Sequence, residues 1–88
     1  MNEETVIAQF DGMCIDMNYL LCIPSIHAIF RESEIIIDFC GGVRENINNF
    51  PEEKIILLKS WIEMHKDEIM QNHLNKGHSE PLNMIAPL

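Results

Sequence analysis

Asp11-Gly12 constrains this chain more than any other pair of residues. A two-residue type I′ turn needs positive φ at both central positions, and Asp-Gly adopts that geometry at low cost. Such a turn sets a register. Phe10 falls opposite Met13, Ala8 opposite Ile15 and Val6 opposite Met17. Side chains alternate along a strand, so these six share one face. The other face carries Thr5, Ile7, Gln9, Cys14, Asp16 and Asn18, which is mostly polar. Turn chemistry and alternation agree, so residues 5–19 are predicted to form a hairpin with one buried side.

Pro24 interrupts this pattern. It cannot donate to a ladder and it restricts Ile23 to extended geometry, so Leu20–Ser25 reads as a loop or a strand edge. A second hairpin is expected from His27–Phe30 and Ile35–Phe39, turning at Glu32-Ser33. Ile35-Ile36-Ile37 is apolar on both faces, which implies a strand covered on both sides or buried by a partner chain. Gly41-Gly42 marks another turn, and Val43–Ile47 forms a weaker fifth strand. Beyond it, Asn48-Asn49 can cap a helix, Pro51 suits a first turn, and Glu52 and Glu53 complement the helix dipole. Ile55, Leu58, Trp61, Ile62, His65 and Ile69 then fall on one helical stripe. Lys59, Ser60, Glu63, Lys66, Asp67 and Gln71 fall opposite. Gly77 is placed to end the helix. Two prolines and several apolar residues follow in the tail, which reads as an extended arm docked on the domain or on a partner.

The fold class expected is therefore α+β. An antiparallel sheet of four or five strands, made of β-hairpins over 5–47, carries one long helix over 51–76 on one face and an arm over 77–88. A chain of 88 residues is one domain with a thin core, burying roughly 60–65% of its unfolded surface. Apolar residues make up 47%, which supports a packed core. The three cysteines, Cys14, Cys22 and Cys40, are odd in number and far apart, which suits reduced thiols and a cytoplasmic protein. The acidic start, Met1-Asn2-Glu3-Glu4, does not resemble a signal peptide, and no stretch approaches the ~20 apolar residues of a membrane span. Six Lys and Arg against 14 Asp and Glu give a net charge of −8. Affinity for nucleic acid comes largely from neutralising phosphates, so neither direct nucleic-acid binding nor attachment to an anionic membrane is expected. The charge serves solubility, or attraction to a basic partner.

No constellation of residues names a reaction, and no cofactor is expected. Cys14 and Cys22 stand eight positions apart, as do His65 and His73, and neither spacing is that of a zinc site. Gly41-Gly42 is not a phosphate loop. The weak candidates are His27, Asp38 and His65. With a turn at Glu32-Ser33, His27 lies directly across from Asp38, and a carboxylate beside an imidazole fixes its tautomer and raises its pKa. The same pair serves equally as an ordinary cross-strand hydrogen bond. Ser25 lies two residues before His27, ~7 Å away along an extended strand, too far for a nucleophile–base contact without a bend. His65, on the apolar stripe, is expected to be half buried and bonded to the sheet or the tail, with Trp61 in the core.

Three stretches carry a family resemblance: Pro24-Ser25-Ile26-His27-Ala28-Ile29, Glu34-Ile35-Ile36-Ile37-Asp38-Phe39, and Ser60–Ile69 continuing to Glu80-Pro81-Leu82 and Ile85–Leu88. In these the chain resembles domain-of-unknown-function family 4160, a set of small prokaryotic proteins. The family shows a Pro-Pro-His-x-His run into a strand, a helix with Trp and Glu-Leu-His, and a Pro-Leu ending. Its first histidine is Ser25 here, and Ile23 stands where a proline is usual, so a site made by two family histidines is half kept. His65 matches the helix histidine. The resemblance implies a part in toxin–antitoxin-like gene pairs. The function expected is thus a non-enzymatic protein-interaction component of a two-protein bacterial module, its partner a second small protein encoded next door. Two alternatives stand beside it: a small metal-binding protein or enzyme using His27, Asp38 and His65, and a homodimer paired through sheet edges.

Overall fold

The computed structural model describes residues 5–17 and 24–87. Five strands run in the order β1 (Val6–Phe10), β2 (Met13–Asp16), β3 (Ser25–Phe30), β4 (Ser33–Asp38) and β5 (Val43–Ile47). Two helices follow, α1 (Glu52–Met64) and α2 (Lys66–Gly77). The sheet is an antiparallel meander in which each strand pairs with its neighbours in sequence. The class is α+β, with all five expected strands present. Leu20 to Ile23, part of the segment expected to be a loop or edge and including Cys22, lie outside the described residues, as do Asn18 and Tyr19.

The first hairpin turns as expected, with Asp11 at φ 50° and Gly12 at φ 75°. Phe10 pairs with Met13 and Ala8 with Ile15. The register then shifts, and Val6 pairs with Asp16 rather than Met17. A bulge inserts one residue and re-aims its neighbours. Its effect is that Ile7, expected on the polar face, joins Ala8 in the core with no exposed surface. Met17 instead bonds Thr5 through its N–H, at 3.0 Å.

The second hairpin corrects its expected register. Phe30 pairs with Ser33, so the turn is Arg31-Glu32, and His27 faces Ile36 while Asp38 faces Ser25. Arg31 occupies the left-handed region at φ 56°, a conformation that its residue type does not advertise. On β4, Ile35 and Ile37 point into the core beneath the helices. Ile36 points the other way and is still only 6% exposed. The Ile run is therefore buried within the chain itself, without a partner's help.

The single long helix expected over 51–76 is two helices in the structure. His65 interrupts them at φ −116°, ψ 28°, and its N–H reaches the carbonyls of both Trp61 and Ile62. The break does not interrupt the stripe: Leu58, Trp61, Ile62 and Ile69 are all buried. Asn48 and Asn49 do not cap α1. Both sit in the left-handed region, at φ 60° and 52°, and Pro51 takes the N-cap position. The Asn48 amide instead donates to the Glu32 carbonyl. Gly77 lies inside α2, and the left-handed residue after the helix is Ser79, at φ 57°.

The arm docks in cis. Ile85 is buried, and its N–H donates to the Ile7 carbonyl at 2.7 Å. Trp61 Nε1 donates to the Ala86 carbonyl at 2.9 Å. The Asn72 side chain grips Asn83 twice, donating to its carbonyl and accepting from its N–H. Asn72 is 1% exposed, and these two bonds offset the cost of burying its amide. Helices, arm and the inner sheet face thus enclose one apolar cluster.

Candidate functional site

Apart from Asn72 in α2, the buried polar residues among those described lie on the sheet face turned away from the helices. Alternation puts Asp16 on it from β2, Ser25 and His27 from β3, and Glu34, Ile36 and Asp38 from β4. Asp16 pairs directly with His27 across the β2–β3 ladder. Glu34 lies diagonally beyond, opposite Ile29.

His27 is the centre of this face. Its Nδ1 lies 2.9 Å from Asp16 Oδ2, and its Nε2 lies 2.9 Å from Glu34 Oε1. Each ring nitrogen therefore meets a carboxylate oxygen. A neutral imidazole has one N–H and can donate only one of these bonds, whereas the imidazolium donates both. The hydrogen bond to Asp16 is the largest influence on the ring and raises its pKa above 6.5. Burial opposes this and the Glu34 bond reinforces it, and the net direction is upward. The ring thus ties together the two strands on either side of its own, and its protonated form makes both bonds as donor. With both nitrogens engaged, neither can take a proton from a substrate while the pairs hold.

Asp38 serves another structure. Its Oδ1 accepts the N–H groups of Cys40 and Gly42, and its Oδ2 accepts from Arg44 Nε at 3.0 Å. These bonds hold the β4–β5 turn. The Gly42 N–H is the largest influence and lowers the Asp38 pKa below its ordinary 3.8, against the effect of burial. A side chain at Gly42 would collide with this carboxylate, since a Cβ there would lie 2.7 Å from Asp38 Oδ2. The expected His27–Asp38 pair is consequently replaced by His27–Asp16 and His27–Glu34 on one side and Asp38–Arg44 on the other.

His65 lies in the other layer, at the junction of the helices. Its ring packs 5.6 Å from that of Trp61, and its Nδ1 is 2.7 Å from Glu68 Oε1. Its Nε2 is buried without a hydrogen-bond partner. The arrangement favours the tautomer that carries the proton on Nδ1, which leaves a lone pair on Nε2 rather than an unpaired donor. It bonds to Glu68 in the first turn of α2, where the sequence pointed to the sheet or the tail. Its side chain is 11% exposed, nearer full burial than the half expected.

The three residues singled out from sequence are therefore dispersed: one tying strands, one holding a turn, one between helices on the opposite side of the sheet. The shallow hollow that His27 lines is completed by Glu34, Ile35, Ile36, Glu45 and Ile47, with neither Asp38 nor His65. No group of three or more His, Cys, Asp or Glu side chains suited to hold a metal ion occurs among the described residues. None of their helices is long and apolar enough to cross a membrane. Sequence reasoning missed Asp16, Glu34 and Asn72. Asp16 belongs to an alternating strand whose polar face was visible, whereas Glu34 lies just before the strand expected at Ile35–Phe39, which reads as apolar on both faces. Their contact with His27 depends on how β2 meets β3 and on a turn one residue earlier than the one expected.

No curated protein and no solved structure matches the chain. The model of one family, described as "Domain of unknown function (DUF4160)", matches residues 17–73. That span takes in β3, β4, β5, α1 and most of α2, including His27 and His65. By this match, which covers more than half of its length, the chain belongs to the DUF4160 family.

Proposed function

We propose that the chain is a non-enzymatic protein-interaction component of a two-protein module of toxin–antitoxin-like kind. The observation that supports this is the state of its sheet edges. β1 is covered by the arm, which bonds Ile7 through Ile85. β5 forms the opposite edge, and all five of its residues are exposed. An edge strand offers a row of unpaired backbone donors and acceptors, and β-strand addition uses that row for recognition. The imidazole best placed for chemistry is tied at both nitrogens, which fits a binding role better than a catalytic one.

The test is recovery of the native complex. The chain, tagged and expressed at native level with its neighbouring genes, is expected to co-purify with one protein in stoichiometric amount. Elution alone, as a monomer, would overturn the reading. So would turnover of a substrate that is lost on His27→Ala while the fold is retained.

A further inference from the structure

We infer that β5 is a docking edge for a basic, extended segment of a partner protein, with Glu45 as the residue that selects it. The inference rests on the interaction reading and names its surface and its chemistry.

β5 has the sequence Val43-Arg44-Glu45-Asn46-Ile47. Its pairing with β4 shifts at the Ile36/Ile37 step, so the irregularity lies toward the Val43 end. From Glu45 onward the ladder is regular: Glu45 faces Ile36, Asn46 faces Ile35 and Ile47 faces Glu34. A bulge or a charge on an edge strand commonly guards against aggregation. Here the bulge leaves the Glu45–Ile47 half open. The charges of the strand are also unequal in availability. Arg44 is committed to Asp38. Arg31, on the adjacent turn, lies over the Phe30 ring at 5.1 Å. Glu45 has no ion-pair partner among the described residues.

Three occupants of this edge can be compared. A second copy of the chain, paired antiparallel over the whole strand about a two-fold axis, sets Glu45 directly against Glu45 of the other copy. Like charges opposite one another destabilise a strand pair. An acidic segment meets the same repulsion. A basic segment, with Lys or Arg opposite Glu45 and a β-branched side chain beside Ile47, gains on both counts. Ile47 is 39% exposed and offers apolar surface on the same face as Glu45. The net charge of −8 draws such a segment in from a distance. Main-chain bonds supply the adhesion, and Glu45 supplies the choice.

Two capped peptides test this by NMR on the isotope-labelled chain, one alternating valine with lysine and the other valine with glutamate. The lysine peptide is expected to shift the β5 backbone amides and to bind about tenfold more tightly than the glutamate peptide. Glu45→Lys, an exposed change that leaves the fold intact, is expected to reverse that order. Equal binding of the two peptides overturns the inference. So do shifts that map away from β5, or a wild-type dimer seen in sedimentation and joined through β5. If a native partner co-purifies with E45K as well as with the wild type, the interaction reading stands and the β5 assignment falls. If no partner co-purifies with either, it is the broader reading that fails.

Discussion

The two faces of the sheet are both buried at their centres, and they reach burial by different means. On the covered face, Ile15, Ile26, Ala28, Ile35 and Ile37 meet Leu58, Trp61 and Ile62, and apolar surface is simply removed from water. On the other face, Asp16 at 1%, His27 at 7% and Asp38 at 6% exposure are buried as ionisable groups, each with oppositely charged or N–H partners. The first arrangement is tolerant of pH and intolerant of lost volume. The second depends on protonation, because burying a carboxylate is tolerable only while its partner is present and charged. One sheet thus separates two kinds of stability.

The comparison is tested most severely where volume is removed. Ile62→Ala, under the helices, should cost ~2–5 kcal/mol in denaturant unfolding, the range for large-to-small core changes. That loss should be the same at acid and at neutral pH. A much smaller value would mean that the covered face is loosely packed. On the other face, His27→Ala should cost about 3 kcal/mol, the low end for breaking a buried ion pair, because it removes the imidazole bonded to the buried Asp16 carboxylate. The low end is appropriate because a second cation lies near Asp16. The Lys76 ammonium, itself held below its ordinary pKa by burial, is drawn to that carboxylate and bonds the Met17 carbonyl.

Acidity sharpens the contrast. The folded pKa of His27 is raised, so its contribution is complete below 6.5 and is lost as pH rises through the folded value. The folded pKa of Asp38 is lowered, so its contribution is present above 3.8 and is lost as pH falls through the folded value. Melting temperature should therefore decline in the wild type as pH rises above 6.5 and through the folded His27 value, and His27→Gln should flatten that decline. An unchanged slope would show that the ring is not the titrating group. Asn72→Ala probes a polar group within the apolar layer. It should cost ~1–3 kcal/mol by leaving the Asn83 backbone unpaired, and should speed amide exchange in the arm before elsewhere. Lys66→Ala removes an exposed pair with Glu63 and a contact over the Phe39 ring, and should cost under ~1 kcal/mol.

How much of this was legible follows the physics of each element. Asp11-Gly12 and the helical stripe speak through local geometry, and both the first turn and the buried set Leu58, Trp61, Ile62 and Ile69 follow from them. β5 was legible for the same reason, since Gly41-Gly42 announces the turn before it. The Arg31-Glu32 turn was not. A left-handed arginine costs little enough for tertiary pairing to impose it, and a one-residue difference moved Asp38 away from His27. The helix break at His65 was equally hidden, because the stripe continues through it. The pairing of His27 with Asp16 joins residues on strands connected through residues 17–24, and nothing local relates the two. Asn72 carried no signal at all: an asparagine on a helix reads as solvent-facing until the arm is known to cross it.

The bond from Ile85 to Ile7 joins positions at almost the full span of the chain. Every strand and both helices are made by contacts nearer in sequence, so this closure has the largest loop to restrict and is expected late in folding. The arm is then a latch on a nearly finished molecule. Its release requires no strand to part, but the loss of the Asn72, Asn75, Trp61 and Ile7 bonds and of the Leu82 and Ile85 side chains from the core. While open, the molecule would keep its sheet but bare the backbone of β1 alongside that of β5. For that interval it would have two sticky sides rather than one, and its route to self-assembly at high concentration would run through the latch rather than through global unfolding.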